Sequence, residues 1–310
     1  MNWHCKAVAM KVFSAIPGGS HLHYWTQRNV TRSLPIGAEE FIREFRLAES
    51  HVNALTAYGK KAVCEAQFYE FGAGWDLCTA LSFFALGARR QILVDLSRLA
   101  RVELLNETLN KLSRLGEAGS IPSVKIRLLP EGDDKEWVEA LEEWYGIKYL
   151  APCDARSTGL SSQSVDYVTS TNTLEHIPQS EAHSILRECR RIMRPDGAIS
   201  FVIDYRDHYA YADSRIGVYN FLKYPPNVWA LCNSSFHFQS RMRHSDYLRI
   251  AKEEGFEIVR EQTERASPDI LADILKEGIA AEFRRYETND LGACEGHIVL
   301  RPAYTASAAD

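Results

Sequence analysis

Paired cysteines, basic runs and long apolar stretches are all missing from this chain, and each absence excludes a class of function. Its seven cysteines (Cys5, Cys64, Cys78, Cys153, Cys189, Cys232, Cys294) are odd in number, lie far apart and form no C-x-x-C. Neither a disulfide framework nor a zinc cluster is expected, and a reducing cytoplasm is. The net charge of -5 argues against a nucleic-acid partner held by a general basic surface. No apolar run reaches membrane-spanning length; Ala7 to Ile16, broken by Lys11 and Ser14, reads as a short helix rather than a signal-peptide core. Internal repeats, low-complexity segments and a catalytic triad are absent too. What remains is ordinary globular composition, 45% apolar and 25% charged, in a chain long enough to bury a full core.

The most informative stretch is Gln67-Phe-Tyr-Glu-Phe-Gly-Ala-Gly-Trp75, followed by Gln91-Ile-Leu-Val-Asp95. An apolar strand carries an acid, Glu70, into a turn built on Gly72, Ala73 and Gly74. A helix follows, then a second strand ending in Asp95. This is one βαβ unit with ligand-binding equipment in place. The glycines allow a tight turn and close approach of backbone to ligand, and Asp95 can accept hydrogen bonds from both hydroxyls of a ribose. An adenosine-containing cofactor is expected. A dinucleotide site would need a third glycine where Leu77 stands. Trp75 and Asp76 before it suit a phosphate-free ligand whose methionine end lies against the loop. Asp76 is read chiefly as a helix cap.

The remaining pattern predicts an α/β chain with a seven-stranded, mostly parallel sheet. Strands are expected at 67–71, 91–95, 147–151, 165–170, 197–204, 256–263 and 295–301. Helices are expected at 76–87, 97–115, 134–145, 179–193, 244–254 and 268–285, with a turn at Arg194-Pro-Asp-Gly197. Residues 1–65 read as a helical cap; within it Glu39 to Thr56 is amphipathic through Phe41, Ile42, Phe45, Leu47, Val52 and Leu55. The cofactor domain spans 66–304, with a substrate-side insertion at 205–243 and a frayed tail at 305–310.

Several segments give the chain a resemblance to the class I S-adenosylmethionine-dependent methyltransferases of the small-molecule branch. Tyr69 to Gly74 resembles their first motif, Asp95 their ribose-binding acid, and Ala151-Pro-Cys-Asp154-Ala155 their third-strand motif. Ser164 to Pro178, containing Asn172 and Glu175-His176, is similar to their fourth-strand motif, and Leu186 to Gly197 to the segment after it. His244 to Phe256 is similar to their last helix and sixth strand. The resemblance covers about two thirds of the chain and implies a Rossmann-like fold and S-adenosyl-L-methionine as cofactor. It implies cofactor contacts at Glu70, Gly72, Ala73, Gly74, Asp95, Leu96, Asp154, Ala155, Thr171 and Asn172. Some relatives bind a divalent metal through acids just before and within the Glu-His pair. Asn172 occupies the earlier acid position here, so no metal is expected. A set drawn from Asp204, Asp207, His208, Asp213 and His237 fits no specific metal pattern.

Methyl transfer needs a held nucleophile and a place for a proton. The candidates are His176, beyond the fourth strand, and Tyr205, Asp207 and His208, after the fifth. Arg241, Arg243 and His244 are candidates to grip a substrate anion. Tyr24, Arg28 and Arg32 are candidates to close over the methionine end. The function expected is methylation of oxygen or nitrogen on a small molecule, with the chain alone or as a homodimer. Three alternatives stay open. One is a reaction that releases methylthioadenosine, and another is a cofactor-binding regulator without turnover. The third, a nicotinamide oxidoreductase, is disfavoured by Leu77.

Overall fold

The computed structural model describes residues 2–303; the expected frayed tail at 305–310 lies outside them. Three helices come first: α1 (Trp3–Ala15), α2 (Gly19–Asn29) and α3 (Ala38–Tyr58). The alternation then runs β1 (Gln67–Phe71), α4 (Cys78–Ala85), β2 (Arg90–Val94), α5 (Val102–Glu117), α6 (Asp134–Tyr145), β3 (Ile147–Leu150), β4 (Val165–Thr171), α7 (Gln179–Ile192) and β5 (Met193–Asp204). After the insertion, which holds α8 (Pro226–Cys232), come α9 (His244–Glu253), β6 (Phe256–Arg265), α10 (Pro268–Glu277), α11 (Thr288–Leu291) and β7 (Ala293–Pro302).

The seven strands form one sheet in the order β3-β2-β1-β4-β5-β7-β6. All neighbours are parallel except β7, which runs antiparallel to both β5 and β6. The order reverses between β1 and β4, so the carboxyl ends of those strands splay apart and leave a crevice. One face of the sheet is covered by α7 and α9 around Ile185, Leu186, Tyr247 and Ile250. The other is covered by α4, α5 and α6, with Leu81, Leu105, Leu109 and Trp137 in the core.

Helix α3 joins that second layer. Its buried side chains, Phe41, Phe45, Ala48 and Leu55, recur at helical spacing. Burying Phe41, Phe45 and Leu55 contributes roughly 5–9 kcal/mol, an upper bound from area arguments. Ile42, expected on that face, is 46% exposed. The opposite edge of α3 carries Glu40, Arg43 and Glu44 toward the crevice. Helix α1 goes elsewhere. Trp3 packs on Tyr209 and Tyr224 of the insertion at 5.4 and 5.7 Å, and its backbone N–H donates to Asp213 Oδ2 at 2.9 Å. The start of the chain and the insertion thus share a core of their own, with Tyr219, Trp229 and Phe283.

Three local expectations are corrected. Arg194–Gly197 is extended rather than a turn: Val165 pairs with Met193 and Tyr167 with Ala198, so the extra residues form a bulge. The helix expected from 97 begins at Val102, because 95–101 build the crevice wall instead. There Ser97 N donates to Asp95 Oδ1 at 3.1 Å and Arg101 N to Trp75 O at 3.1 Å. The helix expected over 268–285 stops at Gly278, whose φ of 96° ends it, and a separate 3-10 turn follows at Ala281–Arg285.

Candidate active site

Two joined cavities open at the carboxyl edge of the sheet. The first, about 440 Å³, lies over the crevice between β1 and β4. Its floor is the turn after β1. Gly72 has φ 79°, and a Cβ there would fall 2.3 Å from Thr173 Oγ1 and Cγ2; only glycine fits. Its N–H donates to Val94 O at 3.0 Å, closing the turn onto β2. Gly74 N donates to Asp95 Oδ2 at 3.3 Å, tying the acid at the tip of β2 to the loop. Asp76 Oδ1 accepts from Cys78 N at 3.1 Å, although the N-cap position of α4 itself is Leu77 rather than Asp76. Trp75 stacks on Tyr24 of α2, with centroids 5.2 Å apart and planes 19° apart, so α2 touches the loop after β1. Tyr24 itself donates to Glu103 at 2.7 Å. Arg28 and Arg32 are exposed.

The electrostatics of this cavity suit a cation. Glu70 is 4% exposed; burial, with Glu44 nearby, pushes it up to about 8. Burial likewise takes Glu44 to about 7, against the pull of Arg43. Burial also raises Asp95, while the N–H groups of Ser97 and Gly74 oppose it. Glu70 Oε2 and Asn172 Oδ1 are buried without hydrogen-bond partners. Two carboxyls that resist ionisation and two orphaned acceptors beside a glycine turn fit an ammonium and a sulfonium. No phosphate-binding glycine stands at Leu77, which is in the left-handed region and buried. The residues therefore fit S-adenosylmethionine. Thr171 and Asn172 line the cavity as expected. Thr171 is held by His51 of α3, whose Nε2 lies 3.1 Å from Thr171 Oγ1 and Nδ1 2.8 Å from Ser200 Oγ.

Three expected cofactor residues line neither cavity. Leu96 is 69% exposed. Asp154 is held in solvent by Arg156, 2.7 Å away, and that hydrogen-bonded pairing lowers its pKa. Ala155 packs against the core under β3 and β4.

The second cavity, about 760 Å³, lies between α3, the Glu175-His176 turn and the segment after β5. Glu40, Glu44, Asn172 and His176 border both cavities. His176, an expected catalytic residue, accordingly stands where the two meet. Its ring edge is open to the cavity, while protein on its other sides and the neighbouring His208 lower its proton affinity. Its Nδ1 is 2.7 Å from Phe238 O. His208 lines the cavity too, with Nε2 3.3 Å from Asp204 Oδ2.

Tyr205 and Asp207 are corrected: both face away from the cavity. Past β5 the chain bends at Arg206 and turns from His208, yet successive side chains still alternate between the cavity and the interior. Asp204, Arg206 and His208 line the cavity. Tyr205 turns inward to His244 Nδ1 at 2.9 Å. Asp207 is fully buried, accepting from Tyr209 N at 2.8 Å and Asn220 Nδ2 at 3.0 Å. Period-two alternation from Asp204 was the signal that separates these sets. Asp204 is driven upward by burial, but His208, Tyr211 and Arg206 outweigh it and leave it lowered.

Glu175, which is not among the expected site residues, precedes His176 and lines the second cavity. It is 4% exposed, and neither carboxylate oxygen meets a hydrogen-bond partner. Burial raises it strongly, with Asp204 adding to the effect. The expected anion grip is absent. Arg243 is wholly buried and spends its guanidinium on the carbonyls of Tyr205, Asp290, Leu291 and Ala293. Arg241 pairs with Glu282 at 2.7 Å, and His244 serves Tyr205.

Residues 134–201 match the sequence model of a family described as "Methyltransferase domain". No curated protein matches the chain. Among solved structures, the PH0226 protein of Pyrococcus horikoshii is 13% identical, with 90% of this chain and 98% of that one covered and a TM-score of 0.48. An S-adenosylmethionine dependent methyltransferase from Mesorhizobium loti is 15% identical, covering 80% and 96%, with a TM-score of 0.43. Likenesses this weak carry neither substrate nor mechanism. All seven cysteines are free, and among the described residues no helix is long and apolar enough to cross a membrane. The matched segment, the strand order, the glycine turn at its reversal point and the acid at the tip of β2 agree with a methyltransferase domain, and the residues of the first cavity fit S-adenosylmethionine as its cofactor.

Proposed function

We propose that this protein methylates an oxygen or nitrogen of a small, polar acceptor held in the second cavity. The observation that carries the proposal is the shared wall: a cofactor cavity of fitting chemistry opens past Asn172 and His176 into a larger cavity rich in carboxylates. That lining, with Glu40, Glu44, Glu175, Asp204, Glu264 and Glu295 against Arg43, Arg46 and Arg206, favours a ligand bearing hydroxyls or an amine over a lipophilic one.

S-adenosylmethionine supplies, when bound, a methyl group on a positively charged sulfur. Asp95 would accept from the ribose hydroxyls, and Glu70 with the Gly72–Gly74 turn would face the methionine end. His176 is neutral at physiological pH, because its proton affinity is lowered; its ring would then take the proton of an acceptor hydroxyl. Asn172 and Thr171, fixed through His51, would position the acceptor beside the cofactor. Cofactor contacts by Leu96, Asp154 and Ala155, with Asp154 toward the adenine amino group, rest on the family resemblance alone. A cytoplasmic setting agrees with seven unpaired thiols.

The test is to incubate purified protein with methyl-labelled S-adenosylmethionine and a polar metabolite fraction, then to identify labelled products by mass. One added methyl on an O or N, with S-adenosylhomocysteine released, is expected. Release of methylthioadenosine, or label on carbon or protein, would overturn the proposal.

A further inference from the structure

We propose that Glu175, His176 and His208 bind one divalent transition-metal ion on the wall of the second cavity. The inference deepens the proposed function, since the ion would sit where the acceptor is held. One oxygen of Glu175 and one nitrogen of each imidazole lie within 4.8 Å of one another. An ion binds such donors at about 2.0–2.2 Å, so modest side-chain rotation would close the set.

Each donor is prepared in a way that needs explaining. Glu175 is 4% exposed with both oxygens unpartnered, and a buried carboxylate left so is costly unless it meets a cation or takes a proton. His176 Nδ1 lies 2.7 Å from the carbonyl of Phe238. A carbonyl only accepts, so Nδ1 carries the hydrogen and Nε2 keeps its lone pair, the arrangement found in metal-bound imidazoles. His208 is held by its backbone, its N–H donating to Gln239 Oε1 at 3.3 Å, while Gln239 Nε2 donates to Arg206 O at 2.6 Å. The two imidazoles meet edge to face at 4.8 Å. Asp204, 3.3 Å from His208 Nε2, adds negative charge behind the cluster.

Two imidazoles and one carboxylate suit zinc-like ions rather than magnesium or calcium, which prefer oxygen donors. Free coordination positions would open on the cavity; with His176 Nε2 engaged by the ion, an acceptor hydroxyl bound there would lose its proton to solvent water rather than to His176. The sequence alone predicts no metal beside Glu175-His176, because Asn172 stands at the earlier acid position; the structure brings His208 to the pair as a third donor instead. His208 comes from the insertion, 32 residues beyond His176 in the chain.

The experiment uses untagged, chelator-stripped full-length protein titrated calorimetrically with zinc, cobalt and magnesium chlorides. One zinc per chain is expected to be lost in Glu175→Gln and His208→Ala, each weakening affinity at least about tenfold. Cobalt should bring visible d–d absorption that both variants lose, and magnesium should give no comparable heat. Circular dichroism and S-adenosylmethionine titration check that each variant is folded. No zinc uptake by the wild type, or uptake unchanged in both folded variants, would overturn the metal site. Absence of S-adenosylmethionine heat from the wild type would instead sink the functional proposal.

Discussion

Alanine at Gly72 gives a quantitative test of the turn beneath the cofactor cavity. The residue has φ 79°, and its new Cβ would lie 2.3 Å from Thr173 Cγ2 and Oγ1 and 2.8 Å from Thr173 Cβ. A left-handed backbone alone costs an L-residue about 1–2 kcal/mol, and overpacking adds about 1–3 kcal/mol. Gly72→Ala should therefore lose roughly 2–5 kcal/mol in urea melts. Gly74 has nearly the same φ, 73°, but nothing within 4 Å of an added Cβ, so Gly74→Ala should lose only the first part. Removing the obstruction provides the second arm. In a Gly72→Ala background, Thr173→Ala should recover part of that ~1–3 kcal/mol relative to additivity, since the Cβ that remains still lies 2.8 Å away. Equal losses at the two glycines, or no coupling with Thr173, would refute the steric argument. Cofactor affinity, measured calorimetrically, should fall with Gly72→Ala because the Gly74–Asp95 link shares that turn.

Asp95→Ala should weaken S-adenosylmethionine binding on the order of 100-fold or more, as two hydrogen bonds to a charged acceptor are lost; unchanged affinity with an intact far-ultraviolet spectrum would refute the ribose role. His51 is fully buried and lowered from 6.5 to about 3, so the folded state holds it neutral. Its stabilising effect is complete above pH 6.5 and is lost as pH falls toward 3, with a slope of about 1.4 kcal/mol per pH unit. Urea melts at pH 7, 6 and 5 should therefore show less acid sensitivity in His51→Gln than in wild type, and identical slopes would sink the argument. Arg243→Ala should cost about 3–5 kcal/mol by leaving buried carbonyls unpaired, whereas Arg249→Ala, on an exposed pair with Glu253, should cost under about 1 kcal/mol.

Local patterns carried most of the architecture. Apolar runs bounded by turns located every strand of the sheet, because strand burial and helix amphipathicity are written in adjacent residues. The glycine turn and Asp95 were legible for the same reason: ligand, turn and acid sit within one βαβ unit. Legibility failed where the partner was distant. The bulge at Arg194–Gly197 depends on register with Val165 and Tyr167. Arg243 reads as a surface cation until the carbonyls of Asp290, Leu291 and Ala293 surround it.

By itself, then, the sequence determined the element order and the phosphate-free cofactor loop, both of which follow from short-range periodicity and turn chemistry. Only the tertiary structure decided that α1 joins the insertion, that Asp204 and not Asp207 faces the acceptor cavity, and that Glu175, His176 and His208 meet. Those outcomes depend on contacts between segments far apart in the chain, and long-range packing leaves no periodic trace in either segment alone.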